Sequence, residues 1–120
     1  MVNDATYVAA IRSLWCDRCM VTVKQNIQDG AFTRQQNAVL FSDEPCRLSF
    51  RSVEVTNESD HAARTVQATV LILDRGREIP PGAEIAVTHE GVLQHYERSG
   101  VAAVYSVHQE VPLQLKGAWA

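Results

Sequence analysis

The sequence predicts a mainly β domain: a small β-barrel of about six to seven mostly antiparallel strands with one short N-terminal helix. Three observations predict it. Apolar and polar residues alternate with period two over several short stretches, most cleanly from Cys46 to Val53. Turn signals recur at short intervals, at Asp29-Gly30, Pro80-Pro81-Gly82, Glu90-Gly91 and Ser99-Gly100. Helical spacing of apolar residues is confined to the N-terminus, where Tyr7, Val8, Ile11, Leu14 and Trp15 recur three and four apart.

Taken in order, Asp4 can cap a helix running to about Leu14, whose apolar stripe needs a partner on the sheet or on a neighbouring subunit. The first strand spans Met20 to Gln28, with Val21, Val23 and Gln25 to one side and Thr22 and Lys24 to the other. Asp29-Gly30 turns the chain into a strand from Phe32 to Phe41, which Asp43-Glu44-Pro45 is expected to break. From Cys46 to Val53, Cys46, Leu48 and Phe50 face inward, and Arg47, Ser49 and Arg51 outward. Glu54 to Thr65 is polar, with no continuous face to bury, and reads as a long mobile loop. Val66 to Asp74 is apolar on both faces and so central to the sheet. After the turn at Ile79-Pro80-Pro81-Gly82, Ile85 and Val87 point inward. A last strand from Ala103 to Leu115 sets Tyr105, Val107, Gln109 and Val111 against Ser106, His108 and Glu110, with Pro112 marking its end or an edge. Residues 1–18 are thus helix and junction, 54–65 the loop and 116–120 a tail of one domain.

At 120 residues the chain is one domain, able to bury roughly two-thirds of its unfolded surface. No apolar run approaches the ~20 residues of a membrane span, and the N-terminus lacks a basic segment followed by an apolar core, so synthesis in the cytoplasm is the default expectation. The net charge of −3 argues against a dedicated nucleic-acid-binding module, which would carry a basic patch. It does not exclude a wall past which nucleic acid slides, because a weakly acidic surface forgoes counterion-release affinity.

No group of residues builds an ordinary enzyme. Three cysteines is an odd count, and free thiols are the default. Cys16-Asp17-Arg18-Cys19 has C-x-x-C spacing, but no second pair completes a zinc site and no βαβ context supports redox chemistry. A structural role at the helix-to-strand junction is the simpler reading, and Cys46 reads as a small core residue. His89 and His95 flank Glu90-Gly91 and could approach across a hairpin, with Glu90 or Glu97 as a further ligand, yet the spacing is unspecific and solvent-facing histidines are expected. His108 and Glu110 lie two apart on one strand face, which suits hydrogen bonding between strands or subunits better than acid–base catalysis. Trp15 and Trp119 are core residues or interface anchors. No catalytic residue, cofactor or metal is expected.

Four segments stand in order: Glu44-Pro45-Cys46-Arg47-Leu48-Ser49, Ile79-Pro80-Pro81-Gly82-Ala83-Glu84-Ile85-Ala86-Val87-Thr88, Tyr96-Glu97-Arg98-Ser99-Gly100 and Tyr105-Ser106-Val107-His108-Gln109-Glu110-Val111. The series resembles the small head-closure proteins (head–tail connector or stopper proteins) of long-tailed bacteriophages and prophages, over about Cys19 to Leu115. The family often has Asp where Ala83 stands, and the resemblance implies no role for the Cys16/Cys19 pair. The resemblance implies a virion protein, made in the host cytoplasm, that assembles into a cyclic ring of six or twelve copies at the head–tail connector. Portal and adaptor proteins would lie above it and tail-completion or tail-tube proteins below, with genomic DNA passing through and no membrane involved. The ring would close the DNA exit after packaging and dock the tail. A long loop in such proteins plugs the channel, and Glu54, Thr56, Asn57, Glu58, Ser59, Asp60, His61 and Arg64 hold the matching position. Tyr7, Ile11, Trp15, His108, Glu110 and Trp119 are the candidate subunit-interface residues. The alternatives are a tail-completion or minor capsid protein and an OB-like nucleic-acid or ligand-binding module.

Overall fold

A computed structural model describes residues 4–57 and 62–117. One helix, α1 (Asp4–Arg12), precedes seven strands: β1 (Asp17–Asp29), β2 (Phe32–Asn57), β3 (Ala62–Leu73), β4 (Glu84–His89), β5 (Val92–Arg98), β6 (Ala103–Val104) and β7 (Gln109–Leu115). Every pairing is antiparallel. The spatial order β3-β2-β1-β4-β5-β7-β6 returns on itself because β3 also pairs with β7, so the sheet closes and only the short β6 hangs outside the circuit. The mainly β class with antiparallel strands and one short helix is as the sequence predicts.

Closure creates the core. Val21, Cys46, Leu71, Leu73, Ile85, Val87 and Val111 are completely buried inside it, joined by Ile79, Ala83, Tyr96 and Leu113. Gly82, at φ 82°, supplies the positive φ of the turn closed by the Ala83 N–H donating to the Pro80 carbonyl. That turn delivers Ile79 and Ala83 to the core on either side.

Several expectations need correcting. Asp43-Glu44-Pro45 does not end a strand: β2 runs on for 26 residues. Its register against β1 slips twice, between Cys19 and Val21 and again between Val21 and Thr22, so β2 carries extra residues and bends. Asp43 takes φ 51° at the first slip, and Pro45 keeps its rung with Arg18 while lying one residue before the pairing with β3 begins at Cys46. Beyond the bend, Cys46 faces Asp17 on one flank and Leu73 on the other, so β2 passes from β1 to β3 at this residue. Phe50 does not point into the core but is 47% exposed. At Phe50, β2 has run past the start of β1, and the ring meets His89 edge-on at 5.8 Å instead.

The final strand is also two. Tyr105 to His108 form a turn, closed by the Tyr105 N–H donating to the His108 carbonyl at 2.8 Å, and β6 folds back on β7. Tyr105 is therefore exposed, and the inward set is Gln109, Val111 and Leu113. Pro112 lies inside β7 rather than at its end. Its carbonyl accepts from Ser99, just past the end of β5, so its missing N–H falls on a flank where no strand needs it.

Residues 54–57 and 62–65 are strand rather than loop. The backbone of Glu54 to Asn57 pairs with Ala62 to Thr65, leaving only residues 58–61 outside the description. This makes the β2–β3 hairpin an arm, because β3 pairs with β7 only from Thr69 onward. A second arm matches it: β1 leaves β4 at Thr22, and Val23 to Asp29 pair only with Phe32 to Ala38. Two arms explain a radius of gyration of 17.5 Å, where a compact chain of this length has about 14 Å.

Candidate assembly surfaces

The interface candidates divide by place. α1 ends at Arg12, and the following turn brings Trp15 down to 6% exposure. Ile11 is half-buried, whereas Tyr7 and Leu14 remain 49% and 56% exposed. The helix is held at its C-terminal end by an Arg12–Asp74 ion pair and by the Arg12 guanidinium 5.8 Å from the centre of the Trp15 ring. Its apolar stripe is thus covered at one end only. Beneath it lies a groove of about 340 Å³ lined by Tyr7, Ile11, Leu14, Ile72 and Tyr105, with Arg47 and His108 at its rim.

His108 and Glu110 do meet, as Nε2 and Oε2 at 3.4 Å, but from a turn to a strand and not along one strand face. Glu110 also holds Arg51 at 2.7 Å, and the Tyr105 and His108 rings stack at 4.8 Å. These contacts stiffen the turn that walls the groove. Trp119 lies outside the described residues.

Of the plug candidates, Glu54 sits exposed on the β2–β3 arm opposite Thr65. The backbones of Thr56, Asn57 and Arg64 continue the arm, opposite Ala63, Ala62 and Val55. Glu58, Ser59, Asp60 and His61 lie outside the described residues. The arm therefore carries Glu54, Thr56, Asn57 and Arg64 along one projecting ribbon.

The histidines at 89 and 95 do not converge. His89 Nδ1 lies 2.9 Å from Asp17 Oδ2, and His95 Nδ1 lies 2.7 Å from Glu84 Oε1. Lys116 Nζ reaches Glu84 at 2.9 Å, and this bond first, with the His95 contact behind it, holds the Glu84 carboxyl below the usual range. Cys16 is exposed and Cys19 buried, so the C-x-x-C residues do not face a common site. The free Cys19 thiol instead makes a hydrogen bond with the Cys46 thiol, and that contact, with burial behind it, pushes the Cys46 thiol up.

Sequence reasoning passed over two polar residues that organise these surfaces. Asp17, 7% exposed, accepts the Leu48 N–H at 2.8 Å, standing in for the residue β1 would need to continue the ladder. Gln109, 4% exposed, donates through Nε2 to the carbonyls of Asp74, at 2.8 Å, and Arg77, pinning the segment after β3. The signal for Gln109 was its inward phase with Val111; Asp17 gave none, because capping residues read as polar boundary.

No protein-family model matches the sequence, and no curated protein matches it. Among solved structures it is similar to the phage-like element PBSX protein xkdH from Bacillus subtilis, at 13% identity, with a TM-score of 0.52 over 82% of this chain and 92% of that one. The two chains share a fold. Across the described residues no helix is long and apolar enough to cross a membrane.

Proposed function

We propose that this chain is a structural protein of a phage or phage-like particle, that its copies gather as a ring at the head–tail connector, and that the β2–β3 arm closes the DNA channel. The observation that carries the reading is the arm itself. It projects beyond the closed sheet, because β3 pairs with β7 only from Thr69 onward, and the sequence of its end, Asn57 to Ala62, is mostly polar. A lone two-stranded ribbon in water is marginal, so a projecting one is suited to an environment supplied by neighbours. The likeness in fold to a protein of a phage-like element supports the setting. The net charge of −3 suits a conduit that does not grip DNA. Portal and adaptor proteins above the ring and tail proteins below are the partners this reading requires.

The test is to replace residues 55–64 with Asn-Gly and examine particles by electron microscopy. The expected result is a folded chain by circular dichroism, normal head assembly, and heads that lose their DNA. DNA-filled heads joined to tails would overturn the closure role. Full heads beside free tails would assign the chain to tail joining instead.

A further inference from the structure

The β1–β2 arm has no role in the closure reading, yet it carries an unusual end. Phe32, at its turn, is 79% exposed, and Asp29 faces it directly across the hairpin. Cross-strand partners share a face, so the arm presents a bare aromatic ring beside a carboxylate. The groove between α1 and the Tyr105–His108 turn offers the complementary chemistry: apolar walls from Tyr7, Ile11, Leu14, Ile72 and Tyr105, and the Arg47 guanidinium at its rim. Arg47 makes no ion pair among the described residues.

We infer that the tip of the β1–β2 arm of one copy seats in the groove of the next copy, with Phe32 against Leu14 and Tyr105 and Asp29 paired to Arg47. The inference deepens the ring reading and rests on it for the cyclic arrangement. A chain cannot satisfy its own groove. The groove lies beside the entry to β1 and the arm tip at its far end, and thirteen residues of strand set them about 40 Å apart. Two different patches meeting on successive copies make a head-to-tail contact, which closes into a ring when the rotation permits. Arg34, on the same face as Phe32, stands two residues farther back, about 7 Å up the arm and away from the tip that enters the groove. Seating covers the exposed stripe of α1 and the bare Phe32 together, in an apolar contact rimmed by a charge pair, as specific interfaces are built.

The experiment is pairwise crosslinking of full-length chains in a Cys16→Ser background, since Cys19 and Cys46 are buried. Ala31→Cys chains, which keep Phe32, are mixed with Ala10→Cys chains, which keep Leu14, and treated with a short bismaleimide, at up to about 1 mM, where a contact of millimolar Kd is half occupied. The expected result is a crosslinked dimer in the mixture and in neither sample alone. Chains carrying Val101→Cys, at an 86% exposed site outside the groove, should give none with Ala31→Cys. Adding Asp29→Lys to the Ala31→Cys chain should lower the yield about tenfold, and Arg47→Glu in its Ala10→Cys partner should restore it. No dimer, an equal yield with Val101→Cys, or failure of the charge swap to rescue would overturn the inference. A specific crosslink with no effect of arm loss on DNA retention would leave this contact standing and sink the closure reading instead.

Discussion

Asp17 shows how one side chain finishes a closed sheet. β1 begins at this residue, so Leu48, two positions beyond the rung Asp17↔Cys46, has no β1 backbone to bond. The carboxylate reaches over to accept its N–H and takes His89 as a second partner, tying the start of β1 to the end of β4. Removing the carboxylate leaves a buried donor without an acceptor, which costs about 1–3 kcal/mol. Asp17→Ala should therefore lower the urea midpoint with an unchanged m value, and Asp17→Asn, which keeps an acceptor oxygen, should recover most of the loss. Equal stability of Asp17→Ala and the parent would show that water satisfies Leu48. Gln109 does the same work on the opposite side of the core, with two carbonyls held by one amide.

The long strand β2 carries the consequence of bending at the scale of an element. Closing a sheet demands that a strand change partners, and β2 does so at Cys46 after two slips in register. Asp43 pays the conformational cost at φ 51°, a region where a short polar residue is tolerated and a β-branched one is not. Its 3.9 Å pair with Arg18 lies in solvent and adds little. Asp43→Val should destabilise by about 1–2 kcal/mol, and Asp43→Gly should match or exceed the parent, because glycine takes the positive φ freely. Chemical denaturation of the three chains decides it: if Val and Gly behave alike, the bend is held by something other than this residue. The same element shows what a sequence reveals. Cys46 and Leu48 announced their faces because they are buried, as did Ile85, Val87 and Val111. Asp29-Gly30 announced its hairpin by turn chemistry alone. Residues 54–57 and 62–65 stayed silent, since alternation reports burial and not pairing, and this segment offers no continuous apolar face. Tyr105 and Val107 misled for the converse reason: alternation ran unbroken across a turn. Of the two ends of the proposed docking contact, the α1 wall of the groove was legible from the helical spacing of Tyr7, Ile11 and Leu14, whereas Phe32 and the Tyr105 wall carry no local pattern.

At the scale of the molecule, stability and extension are separable. The buried cluster draws on the closed part of every long strand but on no residue between Lys24 and Asn37. The β1–β2 arm is exposed over nearly all of that length, and its ladder is local. A chain with Lys24 to Asn37 replaced by Asn-Gly keeps the Val23↔Ala38 rung and the whole core. Its unfolding free energy should stay within about 1 kcal/mol of the parent, since surface changes away from packed sites are small. Its radius of gyration should fall from 17.5 Å toward the ~14 Å of a compact chain without reaching it, because the β2–β3 arm remains. Small-angle X-ray scattering with parallel thermal melts measures both. A large loss of stability would mean that the arm packs on the body in solution, in which case its tip is not free to reach another copy. An unchanged melt with a smaller particle establishes the arm as an appendage whose only physical return lies in contact with something beyond its own chain.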